Sequence, residues 1–166
     1  MQDSVGPTEE SSGIPATREV VAVVLTCRGR IGLFKRSALV GSDVGRWHCI
    51  TGYVDGRDGA LSQAVTELRE ETGLEFAEIS SILTGRIIEL EDQSGDPWRV
   101  HTFLISTNTR RLRLNWEHAD YRWVSPLRLP RFDGQVSWLS DVLDVFQHDI
   151  ADFRRNKEPR VIGSSL

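Results

Sequence analysis

Cysteine is scarce: Cys27 and Cys49 are the two in 166 residues, too few for a disulfide framework. No apolar run approaches the roughly 20 residues that a membrane-spanning helix needs, and no signal-peptide pattern opens the chain. Positive charge is not in surplus. Twenty Lys and Arg face 24 Asp and Glu, a net charge of −4, which argues against gripping a nucleic-acid polymer. Lysine is nearly missing, since eighteen of the twenty basic residues are Arg, the side chain better suited to bidentate contact with phosphate or carboxylate. No internal repeat and no second composition regime is present. These absences leave one soluble domain, expected in the cytoplasm, with neither a membrane nor a nucleic-acid polymer as partner.

What is there organises into short apolar runs. Residues 1–17, rich in Ser, Gly, Pro and Glu, are expected to form a flexible leader, because they bury too little to offset the entropy of ordering. The run Val20–Leu25 predicts a strand buried on both faces, and Ile31–Arg36 a second strand after the Gly29-Arg30 turn. Thr51–Asp58 is expected as a glycine-punctuated loop. Ala60, Leu61, Ala64, Val65 and Leu68 recur at helical spacing, with Gly73 placed to cap the helix. Ile79–Leu90 and Trp98–Ser106 are expected as strands, with Leu112–Leu114 and Tyr121–Val124 as shorter ones. Gln135–Phe153 predicts one amphipathic closing helix, and 154–166 a flexible tail. The order is that of an α/β or α+β domain over 18–153, with helices packed on a mixed sheet.

The informative stretch runs from Gly52 to Leu74. At about 100° per residue, Glu71 lies about 40° to one side of Glu67 and Glu70 about 60° to the other. Three carboxylates on one helix edge repel one another, and a divalent cation such as Mg²⁺ removes that cost. Most such clusters are simply solvated faces. The glycine-rich segment just before the helix favours a site, because glycines let backbone approach a ligand closely.

This stretch resembles the box of the Nudix hydrolase family: Gly, five residues, Glu, seven residues, Arg-Glu-aliphatic-x-Glu-Glu-x-Gly-aliphatic. Gly52, Glu67, Leu68, Glu70, Glu71, Gly73 and Leu74 match, with both spacings kept. Asp58 stands at the first glutamate and Thr66 at the arginine, so the pair that orients the glutamates is altered. The resemblance implies an α/β/α sandwich with a mixed sheet between helices, and a hydrolase that cleaves a pyrophosphate bond in a small nucleotide or another diphosphate. Its cofactor would be Mg²⁺ or Mn²⁺, and a homodimer is compatible with it. It implies Glu67, Glu70 and Glu71 as metal ligands, joined by the Thr51 carbonyl and by Glu117 from the loop before a Trp-containing strand. Glu67, as ligand or general base, and Glu70 would be catalytic.

Arg36, Arg86 and Tyr53 are candidates for substrate contact, and Arg99 is a weaker one. His118 is expected as a loop histidine without an assigned role, and Trp47, Trp98, Trp123 and Trp138 as packing residues. Two rival functions stay open: a Nudix-fold module that binds without turnover, motivated by Thr66 and Asp58, and an isomerase of allylic diphosphates relying on Cys49. Setting aside Glu67, Glu70, Glu71 and Glu117, the remaining acids and bases are equal in number.

Overall fold

A computed structural model describes residues 16–92 and 94–155. The expected leader lies outside them except for its last two residues, as does the expected tail beyond its first two, which belong to the final helix.

The long β-branched segment forms the central strand β1 (Arg18–Cys27), buried from Val20 onward. It turns into β2 (Arg30–Arg36), and β3 (Trp47–His48) and β4 (Ile50–Tyr53) follow. Helix α1 (Gly59–Thr72) leads to β5 (Ile79–Thr84), β6 (Ile88–Glu91), β7 (Pro97–Thr107) and β8 (His118–Val124). Helices α2 (Leu139–Val145) and α3 (Gln147–Arg155) close the described chain. The sheet runs β3-β2-β1-β7-β5, with β4 also on β1, β6 on β7 and β8 on β2. Only the β1–β7 pairing is parallel, so the sheet is mixed.

Alternate residues of β1 enter two separate cores. Val21, Val23 and Leu25 pack with Ala64 and Leu68 of α1, while Val20, Ala22 and Val24 pack with Leu139 and Val142 of α2 and Ile150 of α3. One helix covers one face and two cover the other, the α/β/α sandwich expected. No helix among the described residues is long and apolar enough to cross a membrane.

Four expectations about elements are corrected. The expected loop at Thr51 begins as strand β4, because β1 offers a ladder for Ile50–Tyr53. The expected strand Ile79–Leu90 breaks between β5 and β6. A side chain at Gly85 would collide with Thr102, Phe146 and Val145, so this backbone is pinned against α2. Leu112–Leu114 forms no strand; Leu112 is buried and its N–H donates to the Tyr121 hydroxyl. The closing helix breaks at Phe146, whose buried ring occupies the α2–α3 core and whose N–H turns back to Leu143. Leu61, expected in the helix stripe, is 48 % exposed.

Candidate active site

Helix α1 ends where Gly73 adopts φ +72° and returns its N–H to the Arg69 carbonyl, a conformation glycine takes without steric cost. With Ala64 and Leu68 turned into the core, the three glutamates line the adjoining edge, but they are not equivalent. Glu70 is exposed, Glu67 is half-buried and Glu71 is 1 % exposed.

Glu67 rests against β4. A Cβ on Gly52 would fall inside the Glu67 carboxyl group, so glycine is what lets strand and helix approach here. One turn earlier, Gln63 donates from Nε2 to Glu67 Oε1 at 2.8 Å. Burial raises the Glu67 pKa, the Gln63 hydrogen bond opposes that rise, and the nearby Glu70 and Glu117 charges add to it. Gly52→Ala is therefore expected to leave the melting temperature within a few degrees of the parent, because the colliding atoms end a flexible side chain. Activity should fall about 10- to 100-fold, as when an orienting contact is lost. Thermal melts and steady-state rates on the same preparation test both halves.

Glu71 is the unusual member. Apart from the neighbouring Glu67 carboxyl, neither of its oxygens meets a hydrogen-bond partner. Burial above all, then the Glu117 and Glu67 charges and a hydrogen bond shared with Glu67, push its pKa up to about 10 against the pull of Arg36. A buried carboxyl with no hydrogen-bond donor but another carboxyl, near Glu67 and Glu117, is a donor set suited to a hard cation. Among the described residues no three His, Cys, Asp or Glu side chains are already drawn together as a metal-holding group. Mg²⁺ ordinarily retains waters and takes phosphate oxygens alongside one or two carboxylates, so it does not call for such a group.

Glu117 approaches from the turn before β8. Its N–H donates to Asn115 Oδ1 at 3.0 Å, and its carbonyl accepts the Ser37 N–H at 2.8 Å. Arg36, at the end of β2, donates from Nε to the Ser42 carbonyl at 2.8 Å, and its charge reaches Glu71, His48 and His118. The Val54 N–H donates to the Glu19 carbonyl, so alternation along the antiparallel ladder directs the Thr51 carbonyl away from β1.

Glu67, Glu70, Glu71, Glu117 and Arg36 thus gather, with the Thr51 strand beside Glu67. Two candidates lie elsewhere. Tyr53 pairs with Val20 and so faces the α2 side of the sheet, 63 % exposed, its ring 5.8 Å from that of Trp98. Arg86 lines a shallow groove of about 200 Å³ with Asp141 and Asp144 of α2. Arg99 is engaged by Glu19 at 3.5 Å.

Gln63 carries a signal in the sequence, four residues before Glu67 on the same helix. His48 carries none, and the expectation for His118 is corrected. His118 is 6 % exposed and packs its ring 5.3 Å from Phe34. The register of β2 against β8 slips between Lys35 and Arg36, so Ala119 is an extra residue and His118 pairs with Arg36. Regular alternation from Tyr121 would turn His118 away from α1; the bulge turns it inward. Cys49 is fully buried, and desolvation pushes its thiol up to about 12, away from the thiolate form.

Comparison with known proteins follows the same lines. The family model described as the NUDIX domain matches residues 15–145. No curated protein matches the chain by sequence. Among solved structures, the NUDIX domain of Shewanella oneidensis NrtR complexed with ADP ribose superposes with a TM-score of 0.68 at 12 % identity, covering 81 % of this chain and 89 % of that one. The E. coli dihydroneopterin triphosphate pyrophosphohydrolase gives 0.64 at 19 % identity, covering 80 % and 95 %. A C. elegans Ap4A hydrolase binary complex gives 0.63 at 17 %, covering 82 % and 99 %.

Proposed function

Because the chain belongs to the Nudix family, as a hydrolase of that type, we propose that it cleaves a pyrophosphate bond with Mg²⁺ or Mn²⁺ as cofactor. The substrate is a nucleoside di- or triphosphate, or a nucleoside diphosphate linked to another group. The observation that carries this reading is Glu71, a buried carboxyl near Glu67 and Glu117 whose one hydrogen-bond partner is another carboxyl. The names of similar structures support the substrate class: ADP ribose is bound to one, and the others are hydrolases of dihydroneopterin triphosphate and Ap4A.

In this reading Glu70, Glu71 and Glu117 hold the cation, with the Thr51 carbonyl as a further donor. When bound, the cation neutralises phosphate charge and stabilises the charge that develops during in-line displacement. Glu67 takes the proton of the attacking water, and its raised pKa makes it a stronger base than an exposed glutamate. Gln63 holds that carboxylate in one orientation, the service the family draws from the arginine replaced here by Thr66. Arg36 offers the phosphates a fixed positive charge, its guanidinium already tethered to Ser42.

The test is release of phosphate or nucleoside monophosphate from ADP-ribose, diadenosine tetraphosphate, dihydroneopterin triphosphate and the nucleoside triphosphates. Each is assayed in Mg²⁺ and in EDTA. Turnover of at least one class in Mg²⁺, its loss in EDTA and its loss in Glu70→Gln are expected. Wild type and Glu70→Gln equally inactive on every substrate would count against hydrolysis at this site. Tight nucleotide binding in EDTA without turnover would make the protein a binding module instead.

A further inference from the structure

Two buried histidines adjoin Glu71. His48 in β3 is 1 % exposed and His118 in β8 is 6 % exposed, and their Nε2 atoms are 3.0 Å apart. His118 Nε2 also stands 3.4 Å from Glu71 Oε2. Both Nδ1 atoms lack hydrogen-bond partners, as do both Glu71 oxygens apart from the Glu67 carboxyl, and no other buried side-chain nitrogen or oxygen among the described residues is in that position. Unpartnered buried polar atoms are costly, so four in one place call for a reason.

The geometry supplies one. A contact of 3.0 Å between two ring nitrogens accommodates a single proton, so the neutral rings take opposite tautomers. If His118 carries its proton on Nε2, that hydrogen is directed at the His48 lone pair, with Glu71 Oε2 beside it at 3.4 Å from the nitrogen. His48 then carries its own proton on Nδ1. Once Glu71 is ionised, as cation binding requires, the reverse arrangement would present a His118 lone pair to its carboxylate, which repels it. Ring packing limits other escapes, since His118 lies against Phe34 and His48 stands edge-on to Trp138 at 6.2 Å.

We infer that His118, its tautomer fixed by His48, is a positioning residue that sets its Nε2–H edge against Glu71 Oε2 and, when that carboxyl ionises, holds it ready for the cation. The inference rests on the reading of Glu71 as a cation ligand. Neither histidine touches substrate in this role; they act through Glu71, as outer partners of metal ligands do elsewhere. If the pair merely filled space, an apolar side chain would serve as well.

The test is Mn²⁺ binding to the full chain without substrate, followed by the electron paramagnetic resonance signal of free Mn²⁺. Wild type, Glu71→Gln, His118→Leu and His118→Gln are compared, with folding checked by circular dichroism. His118→Leu should weaken Mn²⁺ binding about 10- to 100-fold. His118→Gln, which keeps an N–H donor of similar reach, should recover most of the loss. Folded His118→Leu with wild-type affinity, alongside a weakened Glu71→Gln, overturns the inference and leaves the metal reading standing. Wild type that binds no Mn²⁺ overturns the metal reading and the inference with it. Should His118→Leu not fold, His118→Asn replaces it: its shorter amide cannot reach Glu71, so equal affinities for the Asn and Gln variants overturn the inference.

Discussion

Glu71→Gln should cut Mg²⁺-dependent hydrolysis about a thousandfold while raising the melting temperature of the metal-free protein at pH 8. The first effect follows from the cation's role, since stabilising transition-state charge is worth several kcal/mol and each 1.36 kcal/mol is tenfold in rate. The second follows from burial. Glutamine nearly matches glutamate in volume, leaves no cavity and carries no charge to desolvate. Wild-type Glu71 must either hold a proton against the solution or bury a charge beside Glu67 and Glu117. A variant that simply damaged the fold would lose activity and stability together. Opposite signs are what distinguish a strained functional carboxyl, and steady-state rates with melts in EDTA read both.

The metal-free protein should also be most stable near pH 6.5, with stability falling on either side. Glu71 has a folded pKa of about 10 against an ordinary 4.5. Above pH 4.5 the native state keeps a proton that the unfolded chain loses, so stability declines as pH rises, by about 1.4 kcal/mol per unit. The histidines work in the other direction. Burial lowers the His118 pKa to about 4 and holds His48 well below 6.5, with the Arg36 charge acting the same way on both. Below pH 6.5 the unfolded chain takes up protons that the native rings refuse, so stability falls as pH drops. Between 4.5 and 6.5 two histidines outweigh one glutamate; above 6.5 Glu71 acts without them. At pH 8 the decline from the maximum should be about 2 kcal/mol. Saturating Mn²⁺, which ionises Glu71 in the folded state, should abolish it, and so should Glu71→Gln. Urea unfolding in EDTA across pH 5–9 gives the profile, and a flat line from 6.5 to 9 would contradict a protonated, buried Glu71.

Helix α1 was legible because all its signals are local: the apolar spacing, the capping glycine and the glutamate edge lie within one contiguous stretch. Strands β1 and β2 were legible from their apolar runs. What escaped depended on distant partners. Thr51 and Gly52 look like loop residues, and they pair as a strand only because β1 lies alongside. At the break between β5 and β6, Gly85 stands where Val145 and Phe146 occupy the space a side chain would need. In the site, helical angles grouped Glu67, Glu70 and Glu71, but they could not rank them. Glu71 is buried and Glu70 exposed because His118 and Glu117 close over one side of the helix and solvent over the other.

The bulge at Ala119 carries a consequence for how relatives are aligned. His118 faces Glu71 because one surplus residue separates it from the regular part of β8. A chain lacking that residue, with histidine directly before the equivalent of Asp120, would put the same ring on the same side of the sheet. Column-by-column alignment would score the two as different, and would score as identical an unbulged chain whose histidine points away. For this position, homology is better judged by sheet face than by residue count.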